Sequence, residues 1–260
     1  KVGVMDNYFE LGGKSIMAIQ MFALIESKLG ARLPLTTLLF SSTIEQIGEL
    51  ITKNNKSELP KWKFIVPLKT TGDEKPLFCV HGGEGHVLFY KLLPNYLNEN
   101  RPVYLLQPKG IDGDETMHES IEAMSKDYLS EIMQIQGDGT YNIMFFCYSA
   151  LAVEMALLLQ GIGKQVNLII VDSTAQSPVN VSHRSFWLRA KKYLLKLQHA
   201  PLLTLKSSVV YRYRKLLEPV YISLTKDKST IVLAKIRKHL DYVHGQYVWN
   251  KIDSPIALIL

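Results

Sequence analysis

"YNIMFFCYSALAVEMALLL", residues 141–159, divides into a six-residue apolar run and a longer one, with Cys147, Tyr148 and Ser149 at the join. The first run has the length and aromatic content of a buried strand, and the second is too long for a strand and reads as a helix. A sharp turn between strand and helix lifts one side chain clear of the sheet and sets it at a helix N-terminus, where backbone N–H groups favour negative charge. G-x-S-x-G turns hold a nucleophile in this way. With Cys147 at the central position, Phe145 and Ser149 stand where the two glycines would be. Cys147 and Ser149 are both nucleophile candidates. A thiolate is the stronger nucleophile and is favoured at a helix N-terminus, whereas a free cysteine in an apolar run is also commonly a core residue.

Working outward, apolar runs at 76–80, 102–106, 141–146, 166–171 and 255–260 alternate with segments of helical length and periodicity at 88–98, 119–136 and 148–160. That alternation is the signature of a mostly parallel sheet covered by helices. After Asp172 it breaks for about eighty residues of helix-like sequence, and an insertion at that edge of a parallel sheet is expected to form a lid. Residues 1–52 are different in kind. "SIMAIQMFALIESKLG" sets Ala18, Phe22, Ile25 and Leu29 on one stripe and stops at Gly30, and "SSTIEQIGELI" repeats the pattern with Ser42 or Thr43 available as N-cap. The polar, Pro60-containing stretch that follows has no periodicity. The expected organisation is a small helical domain over 1–52, a linker over 53–67, and an α/β domain over 68–260 with a lid at about 175–250.

Nearly half of the 260 residues are hydrophobic and 21% are charged, the balance of a folded protein. No apolar run reaches membrane-spanning length and the first residues lack a secretory pattern, so neither a membrane partner nor secretion is expected. Two cysteines are too few for a disulfide framework and suit a reducing, cytoplasmic setting. The net charge of +6 is concentrated: residues 183–250 hold fourteen basic and three acidic residues, a local balance of +11. No duplex-binding motif accompanies them, so solvated amphipathic faces or a surface for an acidic partner are expected rather than a nucleic-acid site.

Ser15 follows a Gly-Gly pair at the head of the first apolar-striped helix, a position suited to an N-cap. The stretch "DNYFELGGKS", residues 6–15, also closely resembles the phosphopantetheine attachment site D-x-F-F-x-L-G-G-x-S, through Asp6, Tyr8 or Phe9, Leu11, Gly12, Gly13 and Ser15, and "LPLTTLLFSSTIEQIGELI", residues 33–51, resembles the later helices of a peptidyl carrier domain. The resemblance implies a small all-α helical bundle whose Ser15 carries phosphopantetheine, added by a phosphopantetheinyl transferase. Such domains have one more helix before this motif, which is expected ahead of Lys1.

"PLFCVHGGEGHVLFY", residues 76–90, is a strand followed by a glycine-rich turn. It resembles the oxyanion loop of the type I thioesterase domains that end nonribosomal peptide synthetases. Those domains carry an aromatic residue six positions before the nucleophile and an E-[MI]-A helix about eight after it. From Cys147, Tyr141 lies six before and Glu154-Met155-Ala156 starts seven after; from Ser149 the separations are eight and five. The spacing favours Cys147 as nucleophile and leaves Ser149 as the alternative. The resemblance implies an α/β-hydrolase fold with a helical lid insertion, an oxyanion hole from the backbone N–H groups of Gly83 and Tyr148, and Asp172 as the carboxylate of a triad, with a cap on a following helix as the lesser alternative for Asp172. The triad histidine is expected beyond Leu260. Of the seven histidines, His81 falls in the oxyanion loop, and none has convincing metal-ligand spacing.

Together the two resemblances cover nearly the whole chain. They imply a carrier-tethered thioesterase that takes a peptidyl or acyl chain from a phosphopantetheine thioester, working beside upstream synthetase domains, and releases it by hydrolysis or cyclisation. A non-catalytic thioesterase-like binding module and a polyketide-type carrier–thioesterase pair are the alternatives.

Overall fold

The computed structural model describes residues 2–52, 62–111, 116–147, 149–171, 228–248 and 256–259. Tyr148, Asp172 and the expected lid up to residue 227 lie outside them. The centre is a six-stranded sheet of β1 (Ile65–Lys69), β2 (Leu77–Val80), β3 (Val103–Leu106), β4 (Tyr141–Phe146), β5 (Val166–Val171) and β6 (Ile256–Ile259), in the order β1-β3-β2-β4-β5-β6. All neighbours are parallel except β1, which runs antiparallel to β3. All four residues of β2 are buried, as expected of a central parallel strand covered on both faces.

The five strands expected from apolar runs are present, and β1 is an addition that starts in the stretch read as linker, 53–67, and runs past its end to Lys69. Its sequence hides it. Pro67 cannot donate to a ladder, and the register with β3 shifts between Pro67 and Lys69, which an edge strand tolerates. A carboxylate supplies the anchor instead. Glu131, buried on α4 (Ile121–Ile135), accepts hydrogen bonds from the backbone N–H groups of Lys63, Phe64 and Ile65 at 2.6, 3.0 and 3.0 Å. A second departure is at 88–98, where the expected helix is two short 3-10 turns, Leu88–Tyr90 and Leu93–Tyr96. Pro94 interrupts any continuous hydrogen-bond ladder through the segment.

Two helices cover the sheet where the site lies. Helix α5 (Ser149–Gly161) is apolar on nearly all sides, with Ala150, Leu151, Ala152, Val153, Met155, Ala156 and Leu159 buried; it packs on β4 and β5 and against α4. Helix α4 starts at Ser120, whose side chain accepts from the Ala123 N–H as an N-cap. After the undescribed segment comes α6 (Lys228–Gln246), which buries Ile236, Leu240 and Val243 in the same core as Phe78, Tyr128, Ile143 and Phe145. The Tyr247 hydroxyl, just after it, donates to Glu154 of α5 at 2.8 Å.

The N-terminal segment forms α1 (Ser15–Leu29), α2 (Thr37–Phe40) and α3 (Ile44–Thr52). Ala18 and Phe22 of the expected stripe are buried and Ile25 packs against them, but Leu29 is 63% exposed at the helix end. Gly30 closes α1 in the left-handed region, φ 67°, with its N–H on the Glu26 carbonyl. At α3 the N-terminal partner is Thr43: its Oγ1 accepts from the Gln46 N–H at 3.2 Å, while Gln46 Oε1 accepts from the Ser42 and Thr43 N–H groups, a reciprocal capping box.

Glu131→Ala leaves three N–H groups at the start of β1 without their acceptor, two of them in buried bonds. It should lower the unfolding free energy by about 2–4 kcal/mol in urea titration. Glu131→Gln, which keeps one acceptor oxygen, should lose less.

Candidate active site

Cys147 is the residue on which the strand-to-helix turn closes. It follows β4, is separated from α5 by a single residue, and is exposed, so the core-cysteine reading does not hold. Its φ of 73° makes it the only non-glycine residue with positive φ among those described. A left-handed conformation at a residue with a Cβ costs about 1–3 kcal/mol and persists only where the surroundings over-determine it. Here the Cys147 N–H donates to the Val171 carbonyl at the end of the neighbouring strand, 3.0 Å. On the strand side, Phe145 is fully buried in the core. The bulky residue at the first glycine position is therefore accommodated because its side chain turns into the sheet packing. Ser149 opens α5 and is half-buried, so it lacks the exposure of Cys147.

The glycine turn after β2 lies beside this junction. The Phe89 ring, on the following 3-10 turn, packs at 5.2 Å from Phe146, the residue before Cys147. The Tyr90 hydroxyl donates to the Val80 carbonyl at 2.9 Å and fixes where that turn leaves the strand. Burial raises the Tyr90 pKa well above the ordinary phenol, and the electrostatic influence of Cys79 and Cys147 adds to it. Gly85 has φ 79°, and a Cβ there would fall 2.8 Å from Ile236 of α6 and 3.0 Å from Pro108, so glycine is needed both for the turn and for the approach of the helix. The Gly85 N–H bonds the Gly82 carbonyl at 2.9 Å, making a tight turn with Gly83 inside it.

Every described histidine lies on or beside this loop, the segment leading into α4, or α6. His81 is fully buried; its Nδ1 bonds the Gly82 carbonyl at 2.9 Å, which puts the proton of the neutral ring on that nitrogen. Burial lowers its pKa to about 4, partly offset by that bond and furthered by His118 and His86. His244 of α6 is pushed to about 3 by burial and by His81. His118 is lowered by burial against the opposing effect of Asp127, which it meets at 3.2 Å, and its carbonyl accepts from His239 of α6. Burial thus favours the neutral form of His81, His118 and His244. None was singled out from sequence beyond its loop position, because the signal is a long-range convergence on α6. Asp172 and Tyr148 lie outside the described residues, so the structure neither joins them to Cys147 nor separates them. Among the described residues no group of three or more His, Cys, Asp or Glu could hold a metal ion, and no helix is long and apolar enough to cross a membrane.

In the N-terminal domain, α1 begins at Ser15 itself, and Lys14 occupies the N-cap position without a side-chain capping bond. Ser15 is thus the first helical residue and not the cap. The loop before it is tightly built: the Tyr8 hydroxyl donates to the Lys14 carbonyl at 2.7 Å, and a Cβ on Gly13 would fall 2.4 Å from the Tyr8 ring and 2.5 Å from the Tyr8 carbonyl.

Residues 75–190 match the family described as Thioesterase domain, and residues 2–51 match the Phosphopantetheine attachment site. Among curated proteins, the chain is 36% identical over 185 residues to malpibaldin synthetase of Mortierella alpina, covering 70% of this chain and 3% of that protein. It is 31% identical over 172 residues to the dimodular nonribosomal peptide synthase of Bacillus subtilis (strain 168), covering 66% of this chain and 7% of that one. The chain therefore spans only a small part of these relatives. Among solved structures, a holo four-domain nonribosomal peptide synthetase aligns over 99% of this chain and 21% of its own, with 24% identity and a TM-score of 0.57. The NocB thioesterase domain aligns over 75% of this chain and 74% of its own, with 17% identity and a TM-score of 0.51. These two likenesses bear on the fold.

Two measurements test the site without any assay of catalysis. Cys147→Gly relieves the left-handed strain and should raise stability by about 1 kcal/mol in denaturant titration while removing labelling by a thiol reagent, since Cys79 is buried and its thiol pKa is raised well above normal by burial. Stability should also depend on pH through the neutral histidines. Their unfolded pKa is near 6.5 and the folded values of His81 and His244 are lower, so the unfolded chain binds more protons in between. The unfolding free energy should fall as pH drops from about 6.5 towards about 4, by about 1.4 kcal/mol per pH unit for each such group. Replacing His244 by Gln should make the fall shallower.

Proposed function

The chain belongs to the family that joins a phosphopantetheine-attachment domain to a thioesterase domain, as nonribosomal peptide synthetases do, and from that premise we propose that Cys147 takes the acyl chain from the arm on Ser15 and then releases it. The observation that carries the assignment is the exposed, left-handed Cys147 between β4 and α5. Phosphopantetheine supplies a long flexible arm ending in a thiol that holds the acyl group as a thioester. Ser15, at the first position of α1, would hold it through a phosphodiester, where the unsatisfied N–H groups of the first turn favour the phosphate.

The Cys147 sulfur attacks the thioester carbonyl as thiolate. Cys147 would take the acyl group with release of the carrier thiol, the proton passing through the base, and would hold it until water or a nucleophile within the acyl chain displaces it. The developing oxyanion would be met by the N–H groups of Gly83 and Tyr148, and the base that cycles the proton would be a histidine oriented by Asp172. The tight turn at Gly82–Gly85 and the Phe89–Phe146 contact support the first of these donors. The insertion expected over about 175–250 would form the lid that excludes water, except that α6 within it packs Ile236, Leu240 and Val243 into the core of the sheet. The upstream synthetase domains that build the chain and a phosphopantetheinyl transferase are the partners this reading requires. Two free cysteines, one of them exposed, suit a cytoplasmic setting.

The test is intact-mass analysis after a phosphopantetheinyl transferase has loaded the chain from an acyl-coenzyme A. Ser15→Ala should abolish loading altogether. In the loaded protein, acyl transfer to the thioesterase domain should be lost in Cys147→Ala and largely kept in Ser149→Ala. Capture on Ser149, or transfer persisting without Cys147, would overturn the assignment.

A further inference from the structure

Lys91 belongs to the thioesterase domain by sequence and fold, yet its side chain is spent on the carrier domain. It closes the first 3-10 turn after the glycine loop, its own N–H on the Leu88 carbonyl at 3.1 Å. Its backbone thus sits one residue beyond Tyr90, whose hydroxyl is tied to β2. The ammonium group stands 4.0 Å from the centroid of the Phe9 ring and donates to the Leu38 carbonyl at 3.3 Å. Phe9 lies in the attachment loop six residues before Ser15, and Leu38 is a fully buried residue of α2. Glu10 adds a third influence: its charge opposes the lowering that partial burial imposes on the Lys91 pKa.

The surroundings are apolar and continuous across the two domains. Ala18, Phe22, Leu38, Leu39 and Ile47 on the carrier side form one buried cluster with Val87, Leu88 and Tyr90 on the other. Helix α1 also packs against α6, which carries the residue that closes over Gly85. A lone ammonium in such a seam would be costly to desolvate. Its placement over an aromatic face, with a carbonyl and a nearby carboxylate, offsets that cost and gives the contact a direction that apolar packing alone lacks.

We propose that Lys91 is a latch through which the thioesterase domain recognises and seats its own carrier domain, engaging the Phe9 face and the α2 carbonyl of Leu38. Lys91 is a positioning residue, since it acts on the delivery of the acyl chain and not on the thioester. The delivery arm of this inference rests on the function proposed above, while the docking arm does not.

Both arms use the full chain. By hydrogen exchange, Lys91→Met should speed exchange of amides in 8–13 and 37–41 while leaving β4 and α5 at their original protection, and Lys91→Arg, which keeps the cation over the ring, should restore the slow rates. Phe9→Leu should reproduce the change and add nothing when combined with Lys91→Met. Unchanged exchange in Lys91→Met overturns the latch, whatever the chemistry of the site. In the loaded protein, transfer from the arm to the thioesterase domain should slow about five- to tenfold in Lys91→Met and recover in Lys91→Arg. Hydrolysis of a free acyl-N-acetylcysteamine thioester should be unaffected. Equal losses on tethered and free substrates would place Lys91 in the reaction site and overturn the docking role. A wild-type chain that turns over neither substrate overturns the proposed function, and the exchange result then decides the latch by itself.

Discussion

The left-handed backbone at Cys147 is the constraint around which the thioesterase domain is arranged. A residue with a Cβ at φ 73° is held there against about 1–3 kcal/mol of strain, so everything that touches it must be fixed. Phe145 anchors one side in the core, the Val171 carbonyl holds the Cys147 N–H, and α5 starts two residues later with Ala150, Leu151 and Ala152 buried at once. Small residues on the first turn of α5 let the helix lie close to the strand it leaves. An inward-turned Phe145 and a half-buried Ser149 flank the turn where glycines would otherwise leave room.

The neighbouring glycine turn is fixed by a different means. The glycine turn after β2 has little side chain of its own, and its rigidity comes from what is laid on it. Ile236 of α6 leaves no room for a Cβ at Gly85, the His81 ring bonds the Gly82 carbonyl, and Phe89 reaches back to Phe146. The neutral histidines follow from this arrangement. His81 and His118 are buried and His244 is half-buried where the loop, α4 and α6 converge, and a charged imidazole there would be poorly solvated.

Much of this was legible in the sequence, for identifiable reasons. Five strands announced themselves as apolar runs because parallel strands covered on both faces are apolar throughout, and α1 and α5 announced their ends through Gly30 and the strand-helix junction. β1 was not legible, because an edge strand carrying Pro67 and anchored by a carboxylate 66 residues away in sequence has no local pattern of its own. The segment 88–98 kept a helical spacing of apolar residues that Pro94 prevents from becoming a helix. At the site, Cys147 was singled out by its spacing from Tyr141 and Glu154, which is a chain-local property. The histidine convergence and the reach of Lys91 are not chain-local: each joins residues more than fifty positions apart, and neither leaves a periodic trace.

Joining carrier and thioesterase in one chain makes each encounter of arm and nucleophile intramolecular, with an effective concentration set by the tether. A tether alone would also let the carrier sample every other face of its neighbour. The seam formed by Phe22, Leu38 and Ile47 against Val87, Leu88 and Tyr90 restricts that sampling to one side of the thioesterase domain, the side where the glycine turn and α6 meet. Apolar contact is non-directional, so it sets the strength of such a seam better than its register. The contacts of Phe9 and the Leu38 carbonyl with a single ammonium supply register, because a ring face and a carbonyl lone pair can both be met only from one direction. The attachment loop, with Gly13 pinned beneath Tyr8, transmits that register over the six residues to the start of α1. A flexible arm can then search only the remaining distance, which is why a rigid loop precedes it.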